Sequence, residues 1–398
     1  MTAEQGAASL AALNLFRTQS SVTRSIRDLE QVLTISLFER HAKGMLLTDL
    51  GKVILPRAHL AIHELSRVPA LLSRLQQPDD RNREEVEPIW LFNERRLQIF
   101  LSLYRQYHTL SVAKALNITQ PAVSAALKVL EKGARMALFY RTPKGMMPTP
   151  AAHEIAPSIS RALNAIRHIP EDITAHKGAL TGVVHVGALP LSRARLLPQA
   201  VIKLISQHPD ISIVTNESGF STLMAELRAG DIDFIIGALR NEEPFLEVHN
   251  ETLFSEELVL LVRPSHPLSG RAIKNEELRD IQWVLPRNHT PSRNLLELAF
   301  KKMGLTPPKP TVESGDPAVV RALLLGSDMV AVVSSHQLDY EVSKGILIPL
   351  STSLSDIRRE IGLMTRQGAL NSPATDALIH CIREVSVPLR ESLSDNVT

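Results

Sequence analysis

The same sequence pattern occurs twice in the chain, and this repeat limits the fold more than any other feature. Residues 11–69 align with residues 112–170 at a constant offset of 101 without a gap, and nearly a third of the aligned residues are identical. The identical pairs include Leu15 and Leu116, Thr18 and Thr119, Gln19 and Gln120, Val22 and Val123, Leu29 and Leu130, Glu30 and Glu131, Phe38 and Phe139, Arg40 and Arg141, Lys43 and Lys144, Gly44 and Gly145, and Thr48 and Thr149. Self-similarity at a fixed offset indicates a supersecondary module present more than once. We therefore expect two copies of one module, called copy one and copy two below.

The length of the chain leaves room for at least one further domain besides these modules. The 398 residues exceed one domain of roughly 100 to 200 residues, so two or three hydrophobic cores are expected. The one cysteine, Cys381, excludes an internal disulfide framework, favours a reducing cytoplasm, and is predicted to be a core residue. The longest apolar runs, such as 258–262, are far shorter than the roughly 20 residues of a membrane helix, so no membrane partner is expected.

The net charge of +2 hides an uneven distribution. Counting Lys and Arg against Asp and Glu gives a net charge of 0 for residues 1–92, +7 for residues 93–178 and −5 for residues 179–398. A small basic block favours a polyanion as partner, although a solvated basic face without a partner has the same composition.

Copy two has the helical pattern of a DNA-binding head. Apolar residues at three-and-four spacing over 97–104 predict a first amphipathic helix, and a second is predicted over 111–116. A third helix follows a tight turn, because Thr119 is a good N-cap and Pro121 fits the first turn, where a missing N–H is harmless. This is helix-turn-helix geometry, in which the N-terminal residues of the recognition helix meet base edges.

The third helix of copy two and the hairpin after it carry the candidate DNA contacts. Val123, Leu127 and Leu130 form its buried stripe. The outward-facing candidates are Thr119, Gln120, Pro121, Ser124 and Lys128 on the helix, and Arg141 and Lys144 on a predicted basic hairpin, or wing, suited to phosphates. A generic helical bundle is the alternative reading of residues 93–178, which the wing and the repeat disfavour. A further helical pattern from Thr149 to His176 has the apolar spacing of a dimerisation helix.

Copy one is incomplete. Its matching pattern begins at Gly6, so the first helix that copy two has over about 94–106 is predicted to be missing. Its candidate DNA contacts are Thr23, Arg24 and Arg27 on the reading helix, and Arg40 and Lys43 on the wing. A module lacking one helix exposes apolar surface, so a degenerate remnant, or a start codon assigned too far downstream, is the alternative. Leu50 to Leu75 repeats the linker-helix pattern and is predicted to pair with that of copy two, within one chain or across a dimer.

From residue 179 onward the pattern changes to alternating strands and helices, which predicts an α/β domain with parallel sheets. Two lobes are expected, lobe I over about 179–264 and 345–390 and lobe II over about 265–344. Two chain crossings between the lobes place a ligand cleft at the carboxyl ends of the strands. The predicted domain boundaries are therefore 1–76 for copy one, 77–92 for a charged tether, 93–178 for copy two and 179–398 for the α/β domain.

The cleft candidates are loop residues that follow the predicted strands. They are Leu189, Ser192, Gly219, Ser221, Arg287, His289, Asp316 and Ser334. Helix N-termini in such loops present free N–H groups that favour an anionic group, and Arg287 and His289 point weakly to a carboxylate. Solvated loop residues are the alternative for each, and neutral ligands such as sugars remain open.

Copy two and the α/β domain together resemble the LysR-type transcriptional regulators. The signature is similar to Val112-Ala113-x-x-Leu116-x-x-Thr119-Gln120-Pro121-Ala122-Val123-Ser124, followed by Leu127, Leu130-Glu131, Leu138-Phe139-x-Arg141 and Gly145 to Thr149. The resemblance covers residues 93 to about 390 and again residues 6–75. It implies a winged helix-turn-helix, a dimer-forming linker helix and an effector domain shaped like a type II periplasmic binding protein. The second head departs from the usual family plan of one head per chain.

The favoured function is a cytoplasmic DNA-binding regulator that responds to a small molecule, possesses no cofactor and forms homodimers or homotetramers. Phosphate-binding glycine loops, nucleophile elbows and metal-ligand spacings are missing from the sequence, so no catalytic or metal residue is proposed. The alternative is a cytoplasmic α/β binding protein or enzyme whose helical N-terminal part serves only for oligomerisation.

Overall fold

The structure is a computed structural model that describes residues 1–41, 44–75, 88–240, 247–334, 336–352, 354 and 357–391. It divides into two compact units, unit 1 with residues 1–182 and 229–231, and unit 2 with residues 183–228 and 232–398. Residues 77–87, most of the tether predicted over 77–92, lie outside the described residues.

Unit 1 contains the same series of elements twice. Copy one consists of α1 (Thr2–Gln5), α2 (Ala8–Asn14), α3 (Gln19–Leu33), β1 (Phe38–His41), β2 (Gly44–Leu47), α4 (Asp49–Ser66) and α5 (Val68–Ser73). After a 3-10 turn at Pro88–Leu91, copy two consists of α6 (Glu94–Gln106), α7 (Thr109–Ala115), α8 (Gln120–Ala134), β3 (Phe139–Thr142), β4 (Gly145–Pro148), α9 (Pro150–Arg167) and α10 (Ile169–His176). In each copy the two strands form an antiparallel hairpin directly after the third helix.

Equivalent atoms of the two copies make equivalent hydrogen bonds. Glu30 Oε1 accepts the N–H of Leu37 at 2.7 Å, and Glu131 Oε1 accepts the N–H of Leu138 at 3.0 Å. The N–H of Met45 donates to the Gly6 carbonyl, and the N–H of Met146 donates to the Tyr107 carbonyl, both at 2.7 Å. The hydroxyl of Thr48 donates to the Ser36 carbonyl at 2.7 Å, and the hydroxyl of Thr149 donates to the Ala137 carbonyl at 2.9 Å. The repeat therefore extends from residue types to backbone geometry.

The first helix distinguishes the two copies. The sequence predicted no first helix in copy one, whereas the structure has the four-residue α1, which aligns with the last turn of the thirteen-residue α6. Copy two buries Leu97 and Phe100 of α6 in its core, and Trp90 packs against Gly133 of α8. In copy one the apolar surface that lacks such cover includes Val32, the counterpart of Gly133, which is 79% exposed.

The linker helices of the two copies pack on each other within the chain. α4 lies against α9 and α10, and α5 lies against α9. Each linker helix, predicted as one continuous helix, is interrupted once, at Arg67 and at His168. Pro69 and Pro170 follow these breaks, and proline has no N–H to donate to the carbonyl four residues earlier.

Unit 2 is an α/β domain built on one continuous mixed sheet. Its elements are β5 (Gly182–Ala188), α11 (Pro190–Ala194), α12 (Leu196–Gln207), β6 (Ile211–Asn216), α13 (Phe220–Ala229), β7 (Phe234–Ala238), β8 (Val248–Val262), β9 (Trp283–Leu285), α14 (Pro291–Lys302), β10 (Pro310–Glu313), α15 (Pro317–Gly326), β11 (Val330–Ser334), α16 (Asp339–Ser343), β12 (Ile348–Pro349), β13 (Arg358–Arg366) and α17 (Pro373–Glu391). The strand order is β10-β9-β11-β8-β13-β7-β5-β6, with β12 paired to β8.

The expectation of parallel sheets was correct for only part of the sheet. β5 and β7 are parallel, as are β9 with β10 and β9 with β11, but β8 and β13 run antiparallel to each other and to their outer neighbours. β8 is far longer than the predicted strand, because its first half pairs with β13 in lobe I and its second half pairs with β11 in lobe II. These two strands join the lobes, which have separate hydrophobic clusters.

Candidate nucleic-acid interface and effector cleft

The recognition helix of copy two, α8, is fixed at its N-terminus by side-chain hydrogen bonds. The Thr119 hydroxyl accepts the Ala122 N–H at 3.4 Å, and Gln120 Nε2 donates to Thr109 Oγ1 of α7 at 3.0 Å. Val123, Leu127 and Leu130 are buried beneath it, as the sequence predicted. The turn between α7 and α8 is therefore held from both sides.

The sequence-predicted DNA contacts of copy two lie on the surface of α8 and of the wing. Thr119, Gln120, Pro121 and Lys128 are exposed, and Ser124 is half-buried. Arg141 and Lys144 are exposed on the β3–β4 hairpin. A hydrogen bond of 2.9 Å from the Thr142 hydroxyl to the Gly145 carbonyl closes the tip of that hairpin.

Glycine is required at position 145, where β4 begins at the tip of the wing of copy two. Its φ of +114° lies in the region that favours glycine, and a Cβ there would lie 2.5 Å from the Tyr107 carbonyl oxygen. The neighbouring N–H of Met146 donates to the same oxygen, so the wing is anchored to the end of α6.

Copy one presents a comparable but chemically different surface. Arg24 and Arg27 are exposed on α3, Thr23 is half-buried, and Arg24 Nε lies 3.9 Å from an Asp28 carboxylate oxygen. The two wing candidates of copy one are not fully described by the structure. Arg40 belongs to β1, but its side chain is not among the described atoms, and Lys43 lies outside the described residues.

Loops from both lobes of unit 2 meet across a cleft. A Cβ on Gly315, just before α15 in lobe II, would lie 3.9 Å from Pro190 in lobe I. The buried hydroxyl of Ser192 donates to the carbonyls of Leu189 at 2.8 Å and Ile236 at 3.1 Å, so it fixes the loop after β5. Asp316 is the N-cap of α15 and accepts the N–H groups of Ala318 and Val319. Ser192 and Asp316 thus shape the loops by contacts within their own lobes.

A buried polar network lies where the two crossing strands pass between the lobes. Glu256 of β8 is fully buried and accepts hydrogen bonds from Arg359 of β13 and from the hydroxyl of Ser334. Arg359 also donates to the hydroxyl of Ser292 in the first turn of α14. Sequence reasoning selected Ser334 and missed the other three, although a glutamate inside the apolar 253–262 stretch is a signal of a paired buried charge.

The remaining cleft candidates are exposed. Gly219 and Ser221 lie at the start of α13, and Arg287 and His289 lie in the loop before α14, where the Arg287 carbonyl accepts the hydroxyl of Thr290. None of the eight sequence-predicted cleft residues lines the cavity described next.

A cavity of about 610 Å³ opens between the lobes at the ends of α12 and α15. Its lining includes Arg195 and Gln199 from lobe I, and Arg321, His336, Asp339 and Tyr340 from lobe II. Arg195 pairs with Asp339 at 2.9 Å and so links the lobes, and Arg321 pairs with Glu341 at 2.9 Å. His336 Nε2 is buried and makes no hydrogen bond within the described part of the chain. The cavity is therefore lined by two ion pairs and by a histidine whose Nε2 is buried.

Three further observations concern features that the sequence raised. Cys381 is buried in α17, and burial raises the pKa of its thiol. No helix among the described residues is long and apolar enough to cross a membrane. The described residues likewise contain no cluster of three His, Cys, Asp or Glu side chains placed to hold a metal ion.

Winged helix-turn-helix modules, linker helices and a two-lobed domain with a polar cleft define a class of ligand-responsive DNA-binding proteins. Comparison with known proteins agrees with this class. Residues 177–386 match the LysR substrate binding domain, and residues 1–52 and 95–153 each match the bacterial regulatory helix-turn-helix protein, lysR family. The chain belongs to the LysR family, and it is a DNA-binding transcriptional regulator rather than an enzyme.

Individual relatives differ in how much of the chain they match. The HTH-type transcriptional regulator GalR of Pseudomonas putida is 49% identical over 383 residues, which are 96% of this chain and 94% of GalR. PcaQ of Agrobacterium fabrum is 25% identical over 295 residues, 73% of this chain and 94% of PcaQ. An alignment of 383 residues includes both copies, so GalR shares the unusual length, whereas a whole PcaQ accounts for under three quarters of the chain.

Solved structures show the same fold. A full-length OxyR variant from Pseudomonas aeruginosa has a TM-score of 0.58 at 23% identity and covers 73% of this chain and 95% of its own. CbnR, a LysR family transcriptional regulator, has a TM-score of 0.54 at 18% identity and covers 74% of this chain and 99% of its own.

Proposed function

We propose that copy two is the principal DNA reader of this regulator. Gln120, Pro121 and Ser124 contact base edges in the major groove, while Lys128, Arg141 and Lys144 contact phosphates on either side. The observation that carries this proposal is the fixed turn between α7 and α8, because Gln120 is exposed yet already oriented by Thr109. Preorganised side chains lose less entropy when they bind.

Two substitutions test this assignment by electrophoretic mobility shift at several salt concentrations. Gln120→Ala should reduce discrimination between operator and unrelated DNA by about 1 to 3 kcal/mol, because a base contact is lost. Lys144→Ala should weaken binding to all sequences alike and flatten the dependence of affinity on salt, because a phosphate contact releases a counterion. Equal loss of specificity from both substitutions would contradict the assignment.

The effector proposed for unit 2 is a small molecule with an anionic group, bound in the cavity between the lobes. Arg195 and Arg321 line the cavity, each paired with a carboxylate, Asp339 or Glu341, whose place an anionic group of the ligand would take. Ser192 and Ser334 then act on the shape of the cleft through the contacts that they already make. A ligand in the cavity bridges the lobes, and it shifts an equilibrium only by its differential affinity for two arrangements.

The assembly is proposed to be a homo-oligomer in the cytoplasm. The single buried cysteine fits a reducing compartment, and bridging of the lobes by a ligand changes how the heads of an oligomer are presented to DNA.

A further inference from the structure

The linker helices of the two copies form a pseudo-symmetric pair inside one chain. The pairing is antiparallel, because Arg57 meets Asp172 while the later residue Glu64 meets the earlier residue Arg161. Ile54 shares a buried cluster with Ile173, and their counterparts in the other copy, Ile155 and Leu72, share a second cluster. This is the isologous arrangement of a two-fold symmetric dimer, with the two copies in place of two identical subunits.

Two buried ion pairs cross this interface. Arg57 Nη2 donates to Asp172 Oδ1 at 2.8 Å, and Arg161 binds both carboxylate oxygens of Glu64, at 2.8 and 2.7 Å. All four side chains are 12% exposed or less. The counterparts of these residues in the other copy are uncharged: Ser158 for Arg57, Ala165 for Glu64, Leu60 for Arg161 and Leu71 for Asp172.

The buried charges therefore favour pairing of copy one with copy two over pairing of like with like. If α9 paired with α9 of a second chain in the same geometry, Arg161 would face Ala165 and Asp172 would face Ser158. If α4 paired with α4, Glu64 would face Leu60. Burying a charge opposite an uncharged side chain is costly, so a few buried charges can specify which partners pair.

The two heads that this interface joins have different reading surfaces. At equivalent positions, α3 has Ser20, Thr23, Arg24 and Arg27 where α8 has Pro121, Ser124, Ala125 and Lys128. Arg24 is exposed, and a guanidinium can bind guanine with two hydrogen bonds, which the alanine at position 125 cannot do.

We infer that one chain carries a complete pair of non-equivalent heads and reads duplex DNA with two different half-sites in a fixed order. α8 reads one half-site and α3 reads the other. This inference rests on the proposed DNA-binding function, and it adds that the operator is asymmetric and that Arg24 determines specificity.

The first test is selection of binding sites from a pool of random duplex DNA by the full chain. The variants are Arg24→Ala, Gln120→Ala and the control Gln31→Ala, an exposed residue at the other end of α3. We expect an asymmetric consensus in which Arg24→Ala relaxes one half and Gln120→Ala relaxes the other, each by about 5- to 150-fold, while Gln31→Ala changes neither.

The outcomes separate the inference from the function on which it rests. A palindromic consensus whose halves both respond to Gln120→Ala, or a consensus that Arg24→Ala leaves unchanged, would overturn the inference and leave DNA binding by copy two intact. Failure to enrich any sequence would overturn the proposed function itself.

The second test exchanges the charges of one buried pair in the full chain. Glu64→Arg and Arg161→Glu should each weaken binding to the complete operator by about tenfold or more, while affinity for the α8 half-site alone stays unchanged. The double variant Glu64→Arg with Arg161→Glu should recover most of the loss, which misfolding would not allow. If Glu64→Arg has no effect and Arg161→Glu is not rescued, α9 does not pair with α4 and the inference fails.

Discussion

At the scale of single residues, the start of each wing depends on one glutamate. Glu131 of α8 accepts the N–H of Leu138, and Glu30 of α3 accepts the N–H groups of Leu37 and Phe38. In the sequence these carboxylates appeared as an identical pair, and Glu131 also as part of the family signature. Their acceptor role was not visible there, because it depends on where the chain turns after the third helix.

Glu131→Ala is expected to lower the free energy of unfolding by about 1 to 3 kcal/mol, because it leaves the Leu138 N–H without its acceptor in a part-buried position. Urea denaturation measures this loss. The control is Glu154→Ala, an exposed residue of α9 that should change stability by under about 0.5 kcal/mol. Equal effects of the two substitutions would contradict the role given to Glu131.

At the scale of elements, local sequence signals placed most helices and strands closely. α6 has the predicted bounds of about 94–106, and α8 begins directly after its predicted N-cap Thr119, because periodicity, N-caps and prolines are local. The errors have tertiary causes. β10 and α16 lack a strong pattern of their own, and the length of β8 follows from its pairing with strands of both lobes.

The wing of copy two supplies the prediction at this scale. Gly145→Ala should distort the hairpin, because the added Cβ meets the Tyr107 carbonyl at an unfavourable φ, and it should weaken binding to all DNA by about tenfold. A mobility shift assay measures the affinity. The matched control is Gly326→Ala at the end of α15, where a Cβ meets nothing within 4 Å. Unchanged affinity in Gly145→Ala would show that the wing contributes little.

At the scale of the whole molecule, regulation requires that a ligand in unit 2 changes DNA binding by unit 1. Calorimetry on the full chain with a panel of small carboxylates, followed by footprinting with any binder, tests this coupling. We expect a binder to change operator affinity by about 5- to 150-fold, and Arg321→Ala to weaken ligand binding while leaving DNA binding without ligand intact. Lys309→Ala, on the β9–β10 side of lobe II, is the control.

A carboxylate that binds but leaves both footprint and affinity unchanged would refute the coupling. Binding that survives Arg321→Ala undiminished would place the ligand outside the cavity. Conversion of the ligand to a product would contradict a purely regulatory cleft.

The sequence by itself determined the repeat, the two helix-turn-helix patterns, the wings and the two-lobed α/β plan, because each depends on residues close together in the chain. Only the tertiary structure decided that the predicted pairing of the linker helices occurs within one chain, through Arg57, Glu64, Arg161 and Asp172, and that Glu256 meets Arg359. These contacts join residues about a hundred positions apart. Periodicity shows that a helix has an apolar face, but which other face covers it depends on how the whole chain packs.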